Sequence, residues 1–397
     1  MVALGDIASS LLGEKTDFSA PNFDITVEGV EIGVNISKFV QELEYESADG
    51  IADEARLTLI NPDFMLSDSK LWQPGNELGL YFGYGPSVSE VGRAIITNVK
   101  INYPSGDSFP TINVVANTAD FLMMQHRPPI DRSKDRIIEE STLIHEAVEN
   151  VANRDAYSFS NLDIDETPGR YSSPQKADMS DYEFVDALAN IMGYSFWVDY
   201  DGGWTLHFKD PANLALEQEV SKHTFQYYAG NKGTLLDFVP EMALQGAITK
   251  LQVQGRIPGT DESGPQTVLE EFDDTESVPD VRYTGNASET IGESHTTGGA
   301  VLKLFFGNYA IDVVSDIKFK TPIEAKLWAQ MWWNKRRENF IVGRGTTIGV
   351  PDVFARQIHE IKLPDVGLSG DYYFTRVRHV FNPTSGYLID FTARKVI

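Results

Sequence analysis

The chain has 397 residues, enough for roughly two to four domains with buried cores. It contains no cysteine, which excludes disulfides, thiolate nucleophiles and cysteine-ligated zinc or iron–sulfur centres. Its 58 acidic and 33 basic residues leave a formal charge of −25, a surface that favours solubility and repels nucleic acid and anionic lipid over most of its area.

The opening residues, 1–20, lack a basic leader and a long apolar core and read as a short amphipathic arm rather than a secretory signal. From Phe23 the pattern alternates at period two, with Phe23, Ile25 and Val27 on one face and a turn at Glu28-Gly29. "ARLTLINP", "NELGLYFGYG", "RAIITNVKINYP" and "PTINVVANTADF" continue that rhythm between Gly, Pro and Asn breakers. Short strands at regular spacing predict an antiparallel barrel or sandwich over residues 21–125.

Residues 126–220 read as a smaller middle domain mixing helix and strand. Leu143, Ile144, Ala147, Val148 and Val151 recur at helix spacing, and breaker-rich residues 159–178 predict a loop. Ser180 and Glu183 form a capping box for a helix whose apolar stripe is Phe184, Val185, Leu188, Ile191 and Met192, and Gly193 stops it. Two strands follow around Asp201-Gly202-Gly203, with Tyr194, Phe196, Val198 and Tyr200 alternating in, then Trp204, Leu206 and Phe208 out.

A second β-rich region spans 221–397. "AITKLQVQGRI" predicts a strand, and residues 258–299, poor in large apolar side chains, predict a long loop or weakly ordered insertion. Pro322 and Glu324 open a second helix over 321–339 with Leu327, Trp328, Met331 and Trp332 on its apolar face, to be packed on a barrel. The end of the chain is a hairpin of two long alternating runs around residues 382–386. The fold class is therefore mainly β with α+β elements.

Chemistry is scarce. His126, His145, His207, His223, His295, His359 and His379 show no i, i+4 metal spacing, so each reads as a surface or satisfied histidine. Asp163, Asp165 and Glu166, and Asp199 with Asp201, lack the ligand spacing of a calcium loop and read as turns. No phosphate loop, dinucleotide fingerprint or nucleophile elbow stands in its strand-to-helix context. Trp328, Trp332 and Trp333 read as core or as a partner-facing seam, with Trp332 and Trp333 as exposed candidates. Lys335, Arg336 and Arg337 complement the dipole of their helix. No catalytic, cofactor-binding or metal residue is nominated, and no cofactor is expected.

Four stretches together resemble one known family: residues 23–63, "LWQPGNELGLYFGYG", "MSDYEFVDALANIMGYSFWVDYDGGWTLHF", and residues 349–395 with the Ser-Gly-Asp-Tyr turn and His379. In this order they are similar to the baseplate or tail hub proteins of contractile phages and related injection machines, the late control protein D and VgrG-hub group. The resemblance covers about two thirds of the chain. It implies two tube-like antiparallel β-barrels around a small α/β middle domain, and a homotrimer whose six barrels adapt a hexameric tail tube to a trimeric central spike. Implied partners are the tail tube protein, the central spike protein, other baseplate proteins and the tape measure protein. Genomic DNA would pass the lumen without specific binding, and no membrane is involved. The implied location is the virion tail baseplate, assembled in the host cytoplasm. The chain stops after the second barrel, so the spike is expected to be a separate protein. Two other readings stay open on the residues alone: a cell-wall or polysaccharide hydrolase with an unrecognised carboxylate pair, and a carbohydrate-binding β protein.

Overall fold

The computed structural model describes residues 20–396 except 65, 68–69, 106–107, 128–142, 168–178, 211–212, 215–221, 228–232, 243–247, 258–265, 273–310, 319–321, 323–324, 327–328, 331, 334–340 and 365–366. The fold is mostly β with antiparallel sheets and few helices. The arm at 1–19, His295 and the Lys335–Arg337 cluster lie outside the described residues.

The first strand set contains β1 (Pro21–Val27), β2 (Val30–Glu31), β3 (Val40–Ala48), β4 (Ile51–Ile60), β5 (Glu77–Tyr84), β6 (Ser87–Asn102) and β7 (Thr111–Asn117). Glu28 and Gly29 turn β1 into β2 with left-handed backbones, φ 52° and 73°. The following "GVNI" forms a four-residue helix, α1 (Gly33–Ile36), instead of extending a strand. Likewise the run beginning at Thr111 ends at Asn117, and Asp120–Gln125 forms helix α2.

The middle elements are α3 (Ile144–Ala152), β8 (Asn161–Ile164), α4 (Asp181–Met192), β9 (Ser195–Tyr200) and β10 (Trp204–Lys209). Helix α4 starts and stops as its sequence demands. The Ser180 hydroxyl accepts from Glu183 N–H (3.1 Å), the Glu183 carboxylate accepts from Ser180 N–H (2.6 Å), and Gly193 is left-handed at φ 68°. Part of the expected loop at 159–178 is strand β8, which pairs in parallel with β10. Its breakers flank the strand rather than interrupt it.

The second set comprises β11 (Thr224–Gln226), β12 (Leu235–Met242), β16 (Ile341–Ile348), β17 (Ile358–Lys362), β18 (Gly370–Asn382) and β19 (Gly386–Lys395). Between β12 and β16 stands a separate three-stranded sheet of β13 (Lys250–Ile257), β14 (Gln266–Phe272) and β15 (Ile311–Lys318). This corrects two expectations. The "KLQVQGRI" strand does not join the terminal strands, and residues 266–272 of the expected loop are strand. The described residues 322, 325–326, 329–330 and 332–333 are helical, as expected, but Ala325, Ala329 and Trp333 pack on Leu251 and Val253 of that small sheet. Trp333 is buried and Trp332 half-buried, so neither is an exposed aromatic. Leu327, Trp328 and Met331 lie outside the described residues.

The two sets share one strand order. Numbered along the chain, the six main strands of the first (β1, β3, β4, β5, β6, β7) lie side by side as 1-4-5-6-3-2. The second six (β11, β12, β16, β17, β18, β19) lie in the same order. Neighbours are antiparallel in both, except that the short β11 runs parallel to β17 where β1 runs antiparallel to β5. A bridge between Tyr227 and Leu235 closes the second set on itself.

Candidate functional site: the seam between the strand sets

The sets meet edge to edge through β18. Its first residues, 370–373, pair with β17, while residues 376–381 pair antiparallel with β3. One strand thus belongs to both sets and fuses them into a continuous sheet.

Opposed charges fix the register. Arg376 lies across from Ala48 and grips Glu46 with two bonds of 2.7 Å. Arg378, directly opposite Glu46, reaches Glu44 (3.3 Å) and Asp390 of β19 (2.6 Å). Alternation at period two puts both arginines on one face of β18 and Glu44 and Glu46 on the matching face of β3. Sequence reasoning missed this pairing, although "QELEYE" and "TRVRH" carried the signal as opposite charges at strand period.

Apolar contact completes the seam. The tip of the β18–β19 hairpin enters the first core, with Phe381 against Phe23 (ring centroids 4.7 Å) and Tyr387 against Phe82 (5.2 Å). Ile348, Phe381 and Tyr387 are members of that core, and the Tyr84 hydroxyl donates to Gly349 O (3.1 Å). The first set therefore borrows part of its wall from the second.

The middle elements clamp the same junction. Arg356, buried and with a left-handed backbone at φ 72°, donates to Ala48 O (2.8 Å) and to both carboxylate oxygens of Asp53 (3.2 and 3.0 Å). Trp197 of β9 lies under its guanidinium at 4.8 Å. Burial pushes the Asp53 carboxyl up to about 6 although Arg356 opposes the shift. Nearby Asp120, also buried, is pushed up to about 7 by the same desolvation, with the Thr118 hydroxyl donating to it at 2.8 Å. Arg93 stacks over Tyr200 at 4.1 Å, so both strand sets send a cation onto the β9–β10 hairpin.

The six described histidines are built into the scaffold. His207 sits between Asp163 (3.0 Å) and Asp199 (2.9 Å) and stacks on Trp197. Burial disfavours its charge, but the two carboxylates outweigh burial and raise its pKa. Asp163 and Asp199 are thus strand residues holding an imidazole, which corrects the reading of both as turns. His379 bonds the Tyr387 hydroxyl (2.6 Å) and Val353 O (2.7 Å), and burial drives it down to about 4. His126 bonds Asp181, His145 bonds Thr167, and His223 and His359 stand together beside Asp352 and Gln357. Among the described residues no three His, Asp or Glu side chains converge as metal ligands.

Comparison with solved structures follows this architecture. No protein-family model matches the chain, and no curated protein matches its sequence. A tail protein from Neisseria meningitidis MC58 superimposes with a TM-score of 0.64 at 10% identity, covering 95% of this chain and 97% of that one. The 43 kDa tail protein of prophage MuSo2 from Shewanella oneidensis gives 0.63 at 10% identity, over 95% and 98%. The chain has the fold of phage tail proteins. The same fold extends to the E. coli c3393 protein, a component of the type VI secretion system described as structurally similar to the T4 tail proteins gp27 and gp5. That match has a TM-score of 0.55 and 9% identity, over 94% of this chain and 77% of that one.

Within the tail-protein fold the two strand sets also share bulges at matching positions. β6 and β18 each carry a bulge against the next strand, between Ile96 and Asn98 and between Phe374 and Arg376. The extra residue is threonine in both. Thr97 donates to Val115 O (3.3 Å) and Thr375 to Thr392 O (3.1 Å), the residues opposite Asn98 and Arg376. β3 and β12 also share a bulge, between Val40 and Glu42 and between Leu235 and Asp237. Just before β5 and β17, Gly75 N–H donates to Ile96 O (2.8 Å) as Arg356 N–H donates to Phe374 O (2.7 Å).

Proposed function

We propose that this protein is the structural hub of a contractile phage tail baseplate or related injection machine. It would act as a homotrimeric adaptor joining a hexameric tail tube to a trimeric central spike. One observation carries this reading: a single chain presents the same six-strand plan twice, joined edge to edge. A six-subunit tube end offers six equivalent surfaces, and three chains meet all six when each supplies two similar ones. The fold shared with tail proteins supports the setting.

In this reading residues 21–125 and 221–397 are the two tube-like barrels. Residues 126–220 are the middle domain packed at their junction, and the β13–β15 sheet with its helix is an insertion into the second barrel. The role is structural rather than enzymatic. Further partners are other baseplate proteins and the tape measure protein. The site is the virion tail baseplate, assembled in the host cytoplasm. The acidic balance would keep contacts with DNA in the lumen weak, because few cations are presented for counterion release. Native mass spectrometry of the chain alone and with its spike protein tests the proposal. Three chains per complex are expected, and a strict 1:1 complex overturns it.

A further inference from the structure

The seam inside one chain specifies a second seam between chains. Internally, the fifth strand of the second set (β18) covers the second strand of the first (β3). The reciprocal pair is the fifth strand of the first set, β6, and the second strand of the second, β12. Both have that edge open among the described residues. Among the described residues, β6 past Ile96 pairs only with β7, and Asp237–Glu241 of β12 pair only with β16.

The shared bulges set the register, aligning Thr97 with Thr375 and Asp237 with Glu42. Carried over, the opposition of Arg378 and Glu46 becomes Lys100 opposite Glu241. Val380 opposite Glu44 becomes Asn102 opposite Val239, and Phe381 opposite Leu43 becomes Tyr103 opposite Phe238. The charge signs are kept at the first pair. Phe381 is 6% exposed in its seam, whereas Tyr103 is 64% exposed and Val239 55%, large apolar groups awaiting the cover that the internal seam already has. Pro240 falls at the place of Tyr45 and lacks a donor, which a strand edge tolerates at the loss of one ladder bond.

We infer that residues 100–103, the end of β6 and the residue after it, pair antiparallel with residues 238–241 of β12 in a second copy of this chain, with Lys100 facing Glu241. This rests on the trimeric reading above and names its contact. The contact is head-to-tail. It repeats the internal seam, so alternating internal and external seams close three chains into a ring of six strand sets. Directly opposed antiparallel residues have Cα atoms about 4.5–5.5 Å apart, within the span of about 4.4–6.8 Å that a disulfide bridges.

Because the chain has no cysteine, an Asn102→Cys/Val239→Cys double variant is a clean probe. Mild oxidation should give covalent dimers and trimers on a non-reducing gel, while neither single variant forms the trimer. Separately, Lys100→Glu and Glu241→Lys should each raise the concentration at half assembly on the order of tenfold, and combining them should restore it. Native mass spectra of the same samples separate the two failures. Trimers that neither cross-link nor respond to charge reversal overturn this strand pairing and leave the trimer intact. A chain that stays monomeric, with and without its spike, overturns both. Covalent species that stop at dimers overturn the head-to-tail ring.

Discussion

Gly75 and Arg356 occupy the same place in the two strand sets, one residue filling it with no side chain and the other with the largest cation available. Both backbones are left-handed, at φ 100° and 72°, and both donate to the bulged strand. Glycine adopts that backbone freely, while an arginine there carries strain of about 1–2 kcal/mol. The fold dictates the conformation and the neighbourhood dictates the residue. Gly75 has open space where a side chain would start. Arg356 faces the seam and neutralises Asp53, a carboxylate whose counterpart position in β16 is the buried apolar Ile341. One plan used twice thus diverges where its two copies touch.

Making the second set copy the first at this point breaks the comparison most severely. Arg356→Gly relieves the backbone but leaves Asp53 buried without its cation, a loss of about 3–5 kcal/mol before that relief. The sign with pH is defined. Without Arg356 the Asp53 carboxyl rises further above its native value of about 6. The penalty therefore shrinks as pH falls and the group protonates, and grows as pH rises through that value. Thermal unfolding at pH 5 and pH 8 should show the variant much closer to the parent in acid. An equal deficit at both values would mean that Asp53 is not the group left stranded.

Asp120 gives the opposite outcome. Its folded pKa of about 7 stands above the unfolded reference of 3.8, so the folded state holds the proton more tightly. This group's contribution is favourable below its unfolded pKa and is lost as pH climbs to about 7. Asp120→Asn keeps an oxygen to accept from Thr118 and removes the charge. It should stabilise the protein at pH 8, by on the order of a few kcal/mol, and by less than half as much at pH 5. A variant destabilised at pH 8 would show that the ionised carboxylate serves the junction.

The internal seam itself should be softer. Arg376 and Arg378 are 54% and 35% exposed at their side chains, so solvent screens their pairs with Glu46 and Glu44. Reversing both to glutamate places like charges across the ladder and should cost about 1–2 kcal/mol. The loss should diminish in high salt. Urea unfolding at low and high ionic strength measures it, and a salt-independent loss would assign the effect to packing.

What was legible in the sequence was whatever local chemistry decides. Helix α4 has its cap, box and stop within fourteen residues, and the terminal hairpin has its turn between two alternating runs. Strand β8 was hidden because four residues between breakers look like loop until β10 pairs with them. The strand at Lys250 was legible but its partners were not, since alternation says which face is buried and nothing about which edge is met. The duplication was expected from the family resemblance and not from a shared residue pattern, for the same reason. Ala116 and Ala393, or Thr58 and Thr346, correspond through their ladder partners, while the surrounding side chains share no pattern.

The smallest expected effect is the sharpest test of that duplication. Thr97 and Thr375 are the bulge residues of β6 and β18, and each hydroxyl donates to the carbonyl opposite the next residue. A bulge leaves one residue unpaired, and the hydroxyl ties that residue back to the ladder. Thr→Val keeps the shape and β-branching and deletes the donor, so each change should cost about 0.5–1.5 kcal/mol. The two sites lie in different sets with different partners, so the double variant should show additive losses. The single Thr97 hydroxyl proton is shared between Val115 O and Asn117 Oδ1 (2.8 Å), which places its loss at the upper end of that range. If the bulges are equivalent devices, Thr97→Val and Thr375→Val lower the denaturation midpoint in the same direction without changing the slope of the transition. If one is silent while the other is costly, the bulges share a position but not a purpose, and the correspondence rests on strand order alone.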